Sequence, residues 1–244
     1  MITVGVLGAA GRMGTAVCHA VDADTELELV ARAGAAVELD ALIEAKPAVA
    51  VEFTTPASVR ANTEACVRAG IHVVVGATGL TSEDLVDIAR LTDEHGANVF
   101  VAPNFAIGAV LMMRFAAEAA RHFDTVEIIE RHHENKLDAP SGTALRTASL
   151  MAESKGAPFS TSVGGTESIA GSRGGDADGI RIHSLRVPGS VAHQEVIFGA
   201  KGETLTIRHD SLDRACFMPG VVLAIKKIAA TPGVTVGLEH LLGS

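Results

Sequence analysis

Apolar and polar positions along the chain fall into two successive rhythms. Over residues 1 to about 102, the short β-rich runs "ITVGVL", "LELVAR", "AVAVEF", "IHVVV" and "NVFVA" alternate with longer stretches of helical character. That alternation predicts a parallel sheet with crossover helices, as in Rossmann-like α/β folds. Several helix ends are marked: Ser82 is placed to cap "SEDLVDIARLTDEHG", acids fill its first turn and Gly96 follows it, while Gly70 closes "VRANTEACVRAG".

After "APNFAIG" the rhythm changes to an apolar helix over about 107 to 122, a strand "TVEIIER", a polar cluster and a helix over about 141 to 155. The glycine-rich stretch 163 to 179 reads as a flexible loop. Three turn-linked strands follow, "IRIHSLRV", "HQEVIFG" and "ETLTIRH", and predict a second α+β domain with a mixed, mostly antiparallel sheet. The tail, again helix then short strand, belongs with the first domain. The expected boundaries are 1–104 with 214–244 for the first domain and 105–213 for the second, with the two crossings forming a hinge.

Composition narrows the partners. With 244 residues and 48% apolar content there is ample core for two modest domains, and a net charge of −9 without basic blocks argues against a nucleic-acid surface. Trp and Tyr are absent, so base-stacking platforms are missing too. No apolar run is long enough to cross a membrane and the first residues lack a basic leader, so a cytoplasmic chain is expected. Cys18, Cys66 and Cys216 are scattered and form no zinc or redox pair, in keeping with a reducing compartment.

"GVLGAAGRMGTAV" sets Gly8, Gly11 and Gly14 directly after the first β-run and at the start of a helix. The spacing is one residue wider than the common dinucleotide fingerprint, but the physics is shared. Gly8 makes the turn, Gly11 lets amides approach a pyrophosphate, and Gly14 lets the helix pack on the strand. The helix N-terminus adds partial positive charge. An acid at the end of the second strand would bind a ribose 2′-hydroxyl and an arginine a 2′-phosphate. "LVARAG" offers Arg32 with no acid beside it, which favours NADPH over NADH. "FTTP", "GATG" and "APNF" each follow a later β-run and converge on the same sheet edge.

In "ERHHENKLDAPSGTA", His132 and His133 sit at or just past a strand end, Pro140 breaks the chain, and Ser141 or Thr143 caps the next helix. A histidine, a second histidine, a lysine and a helix N-terminus suit an anionic ligand, carboxylates above all, and one group that donates a proton near neutral pH. "HENKL" lacks the second histidine of a zinc helix, and no other spacing completes a metal set, so no metal is expected. "PSGTA" lacks the strand-to-helix elbow of a nucleophilic serine.

These segments, with "VEFTTP", "VVVGATGL", "APNFAIGAVLMM" and "VAHQEVIFGAKGETLTIRHDSLDRACFMPGV", resemble the bacterial dihydrodipicolinate reductases over nearly the full length. The stretch 130–144 is the most specific part. The resemblance implies a two-domain reductase of diaminopimelate and lysine biosynthesis, acting on 4-hydroxy-tetrahydrodipicolinate. Its first domain binds NADPH or NADH, and its second binds the dicarboxylate substrate and builds a homotetramer. By match, His132 is the acid/base and Lys136 a proton donor or carboxylate partner, with His133, Ser141, Gly142 and Thr143 holding substrate. Cofactor contacts map to Gly8, Ala9, Ala10, Gly11, Arg12, Met13, Arg32, Gly76, Ala77, Thr78, Ala102, Pro103, Asn104 and Phe105. The chain departs from the family at Ala77, where threonine is usual, and in lacking the acid common at the second strand end. A non-catalytic NADPH sensor and a different two-domain dehydrogenase are the alternatives, separated by whether the condensation product of aspartate semialdehyde and pyruvate drives NADPH oxidation.

Overall fold

The computed structural model describes residues 1–34, 38–160 and 166–243. It divides into two compact units, Met1–Ile107 with Arg214–Ser244, and Gly108–Asp213.

In the first unit, β1 (Ile2–Leu7), α1 (Arg12–Ala23), β2 (Leu27–Ala33), α2 (Leu39–Glu44), β3 (Val49–Glu52), α3 (Val59–Arg68), β4 (His72–Val75), α4 (Ser82–His95) and β5 (Val99–Val101) follow in order. The tail contributes α7 (Met218–Lys227) and β11 (Val234–Val236). The sheet order is β11-β5-β4-β3-β1-β2, all pairs parallel. The strands are almost continuously apolar because both faces are covered. Leu42, Val59, Cys66, Val67 and Ile88 from α2, α3 and α4 pack on one face, and α1 and α7 lie against the other. Strand order reverses between β1 and β3, the position at which such sheets bind ligands beyond their carboxyl ends.

The second unit holds α5 (Ile107–Ala120, whose first residue belongs to the first unit), β6 (Thr125–His132), α6 (Gly142–Lys155), β7 (Gly175–Ala177), β8 (Ile180–Arg186), β9 (Ala192–Ala200) and β10 (Glu203–Ser211). The sheet order is β10-β9-β6-β8-β7, antiparallel except for the β6–β8 pair. Alternation along β6 turns Val126 and Ile128 inward, where they meet Ala116 and Ala120 of α5, Ala144, Ala148 and Met151 of α6, and Phe198 of β9.

Three details differ from the sequence reading. Thr81, not Ser82, caps α4: its extended backbone lets Oγ1 accept the Asp84 N–H at 3.1 Å, while Asp84 Oδ2 accepts the Thr81 N–H at 2.8 Å. Part of the stretch read as a flexible loop is the edge strand β7, paired with β8; residues 163 to 165 of that stretch lie outside the described residues. The short helix α2 carried too few periodic positions to be read. Among the described residues, no helix is long and apolar enough to cross a membrane.

The tail is fitted tightly to the first unit. A Cβ on Gly220 of α7 would lie 2.1 Å from the Phe105 carbonyl oxygen, a contact with backbone that no side chain can relieve. Gly220→Ala is therefore expected to destabilise the protein by about 1–3 kcal/mol. The urea midpoint of unfolding measures this, and an unchanged midpoint would show that α7 does not approach so closely.

Candidate active site

The first unit carries a glycine turn built for close approach. Gly8 has φ +79°, and a Cβ there would sit 2.6 Å from the Phe53 carbonyl oxygen. Its N–H and that of Ala9 donate to Ala33 O at 2.7 and 3.1 Å, tying the turn to the end of β2. A Cβ on Gly14 would fall 2.0 Å from Gly8 O, so only glycine lets α1 start this near β1. Gly11 is the N-cap and makes no side-chain capping bond, no acid lies in the first turn, and Ala10, Gly11 and Arg12 are exposed while Met13 is half-buried. A helix N-terminus opening outward, without a competing carboxylate, fits a pyrophosphate.

Beside it, at the β1–β3 switch, lies a cavity of about 220 Å³ lined in part by Leu7, Ala33, Gly34, Thr54, Thr55 and Ser58. Two of its lining residues, Thr54 and Asn62, are held from behind by Glu52, which is fully buried. Glu52 Oε1 accepts the Thr54 N–H at 2.7 Å and bonds its hydroxyl, and Oε2 accepts from Asn62 at 3.1 Å. Burial raises the Glu52 pKa, and the bonds from Thr54 and Asn62 offset only part of that. The same burial, reinforced by the charge of Glu52, pushes the Cys66 thiol up to about 12, so it stays protonated.

The "GATG" and "APNF" turns lie along the same edge. Gly76 and Ala77 donate to Glu52 O at 2.9 and 3.2 Å, and Ala102 donates to Val75 O at 3.1 Å. A Cβ on Gly76 would meet the Phe53 ring at 2.2 Å. Thr78 and Pro103 are exposed and Asn104 half-buried, whereas Ala102 and Phe105 are buried, the Phe105 ring 5.9 Å from that of Phe53. These last two residues form wall rather than open surface.

Arg32 behaves differently from its neighbours in the reading. Its guanidinium is exposed and paired at 3.0 Å with Asp22 of α1. The acid that the sequence did not place at the end of β2 comes from four residues beyond Gly34, where the Glu38 carboxylate accepts the Gly34 N–H. A Cβ on Gly34 would lie 3.4 Å from that carboxylate and 3.5 Å from the Ala10 methyl, so the acid stands next to the glycine turn.

In the second unit, the polar cluster is tied into one knot around Glu130. The period of β6 puts Glu130 on the inward face with Val126 and Ile128, and it is fully buried. Arg186, at the end of neighbouring β8, meets it with two bonds of 2.9 Å, Nη1 to Oε2 and Nη2 to Oε1. The Ser141 N–H donates to Oε1 at 3.1 Å, and His132 Nδ1 lies 2.6 Å from Oε2. Burial by itself raises the Glu130 pKa. Hydrogen bonds from His132, Arg186 and Ser184 outweigh it and hold the carboxyl at about 2.

Arg186 also clamps the connection that follows the strand, donating to Lys136 O at 3.3 Å and to Asp138 O at 2.5 Å. Lys136 Nζ rests on Asp138, 2.7 and 2.9 Å from its two oxygens. Ser141 caps α6, its Oγ accepting the Ala144 N–H at 3.2 Å. Gly142 opens the helix on exposed backbone with no neighbour within 4 Å of where a Cβ would stand, and Thr143 is half-buried beside it. His132, Lys136, Ser141 and Gly142 are thus held by one carboxylate–guanidinium pair. His133, half-buried, accepts the Lys136 N–H on its carbonyl at 3.2 Å. Glu130 and Arg186 were missed in the sequence reading, although counting by twos from Val126 marks Glu130 as an acid on a core face.

The family profile for the N-terminus of dihydrodipicolinate reductase matches residues 2–105, and the profile for its C-terminus matches residues 108–242. The 4-hydroxy-tetrahydrodipicolinate reductases of Corynebacterium aurimucosum and Streptomyces griseus are 52% and 50% identical, each aligned over 99% of this chain and 99% and 98% of their own lengths. A dipicolinate-bound dihydrodipicolinate reductase from Paenisporosarcina sp. TG-14 superposes with a TM-score of 0.89 at 38% identity, covering 99% of this chain and all of the other. An amine dehydrogenase from Mycobacterium smegmatis, at 14% identity and a TM-score of 0.66, shares the fold alone. With a Rossmann-type dinucleotide-binding unit and both family profiles matched end to end, the chain belongs to the dihydrodipicolinate reductase family of oxidoreductases.

Proposed function

We propose that the chain reduces 4-hydroxy-tetrahydrodipicolinate to tetrahydrodipicolinate, with loss of water, in the diaminopimelate route to lysine. The observation that carries this reading is the knot around Glu130, which gathers an imidazole, an ammonium-bearing turn and a helix N-terminus on one edge of the second unit. The bound reduced nicotinamide supplies a hydride. After loss of water the substrate is an unsaturated cyclic imine, and hydride at a ring carbon leaves an electron-rich enamine that must take up a proton. His132 donates that proton. The two carboxylates of the substrate are met by Lys136, by His133 and by the helix start at Ser141, Gly142 and Thr143. Asp138 pairs with Lys136 Nζ, so a substrate carboxylate competes with a side-chain carboxylate for the same ammonium.

The residues of the first unit that fit the dinucleotide are Gly8 to Met13 at the phosphates, the Gly76–Thr78 turn and the Ala102–Phe105 turn. Sequence alone favoured NADPH through Arg32. The placement of Glu38 supports the opposite weighting, because a carboxylate beside Gly34 and Ala10 suits ribose hydroxyls and repels a 2′-phosphate. The Arg32–Asp22 pair is exposed and contributes at most about 1 kcal/mol, so Arg32 remains able to serve NADPH. We read the chain as accepting both, with NADH favoured.

We propose also that it works in the cytoplasm and assembles as a homotetramer. In the second unit, helices cover one face of the sheet; on the other, Ile129, Arg131 and Leu185 stand outward, and Arg131 Nε is buried without an acceptor. An opposing copy would cover this face and can supply that acceptor.

His132→Ala and Lys136→Ala are each expected to lower turnover by about 10²- to 10⁴-fold, with dinucleotide affinity unchanged. Steady-state rates with the enzymatically generated substrate, alongside cofactor titration, check this; full activity in the double variant would end the assignment.

Glu38→Gln removes a charge from the ribose end of the site. Taking the Coulomb effect as about 1 kcal/mol, the ratio of kcat/KM for NADPH over NADH should rise about fivefold. An unmoved ratio would mean that Glu38 does not face the 2′ position.

A further inference from the structure

We infer that Glu130, locked in place by Arg186, is a positioning residue that fixes the tautomer and ring orientation of His132, leaving Nε2 as the atom that delivers the proton. The inference rests on the reaction proposed above and deepens it.

The argument is one of donor accounting. Every oxygen of Glu130 is engaged: Oε1 by Arg186 Nη2 and the Ser141 N–H, Oε2 by Arg186 Nη1 and His132 Nδ1. Two guanidinium bonds and a backbone donor favour the ionised carboxyl, which is an acceptor only. The group facing it at 2.6 Å must therefore be a donor, so His132 carries its proton on Nδ1 in the neutral state. Nε2 is then left to gain and lose the second proton.

The pair is placed by the strand. Glu130 and His132 are two residues apart on β6 and share a face, so their side chains stand side by side without a turn to arrange them. Arg186 pairs opposite His132 in the parallel β6–β8 register, which brings its guanidinium across to the same carboxylate. On the other side, β9 presents Ala192 opposite His132, with no charge. The remaining charged groups nearby in the chain are Lys136 and Asp138, neutralising one another in the connection that Arg186 clamps, with half-buried His133 and exposed Glu134 just past the strand end. Glu130 is the carboxylate in contact with the ring.

The test uses the full-length protein and compares Glu130→Gln, Glu130→Asp and His132→Ala. With Glu130→Gln, kcat should fall about 10²- to 10⁴-fold while the KM for dinucleotide is unchanged. The pH profile of the residual activity should also differ from the parent's, because the carboxylate that faces Nδ1 has become a neutral amide. Glu130→Asp keeps a negative charge for Arg186 and Nδ1 to meet, so it should recover the parental pH profile with part of the rate. In protein labelled with ¹⁵N-histidine, the parent should show a strongly downfield Nδ1–H proton that is absent from His132→Ala and shifted upfield in Glu130→Gln.

Outcomes separate the two ideas. If His132→Ala is inactive but Glu130→Gln keeps the parental rate and pH profile, the positioning role is overturned and the acid assignment stands. If His132→Ala is fully active, the proposed reaction chemistry itself fails. Should Glu130→Gln not fold, the Glu130→Asp profile and the parental proton spectrum decide: no downfield proton, or a pH profile that departs from the parent's in Glu130→Asp as well, overturns the inference.

Discussion

A carboxylate buried on the inward face of a β-strand has to be paired, and the second unit is organised around that requirement. Glu130 sits in line with Val126 and Ile128, where an unpaired charge would be costly, and Arg186 answers it with a two-pronged contact across the parallel β6–β8 pair. Removing one member of such a buried pair typically costs about 3–5 kcal/mol, so the two residues stand or fall together. The same pair holds the connection from strand to helix, through the carbonyls of Lys136 and Asp138 and the amide of Ser141. Stability of the core and geometry of the polar cluster are therefore one arrangement, seen from two sides.

The first unit depends on close approach instead of charge. Gly8 and Gly14 let backbone pack on backbone at distances that no other residue permits, and Gly76 leaves room for the Phe53 ring. The result is an exposed helix start beside a cavity of mixed lining at the reversal of strand order. Where the second unit gathers its polar groups around a buried charge pair, this one turns backbone amides and hydroxyls toward the sheet edge, with the Glu38 carboxylate at one end.

Much of this was legible in the sequence, for identifiable reasons. The parallel strands, the glycine turn, the mixed second sheet and the return of the tail follow from periodicity and turn chemistry, both local. The same local logic narrowed the cap of α6 to Ser141 or Thr143, and Ser141 holds it. The cap of α4 fell one residue away, since Thr81 and Ser82 carry equivalent hydroxyls and only backbone conformation separates them. Glu130 was overlooked because an acid in "EIIERHH" looks like a solvated strand end, and its partner lies 56 residues further on. Glu38 was missed for a related reason: the fingerprint seeks an acid at the strand end, whereas here it reaches back to Gly34 from four residues away. Long-range pairing and returning loops leave no periodic trace.

The first unit is discontinuous, and that bears on how the chain is made. Until residues 214–243 have left the ribosome, β5 has no β11 beside it, and Asn98 lacks the Ile228 carbonyl and the Gly233 amide that complete its bonding. The second unit, by contrast, is a single uninterrupted stretch that is fully synthesised first. The nascent amino-terminal half must wait with an open sheet edge, a state prone to self-association and a natural client for chaperones.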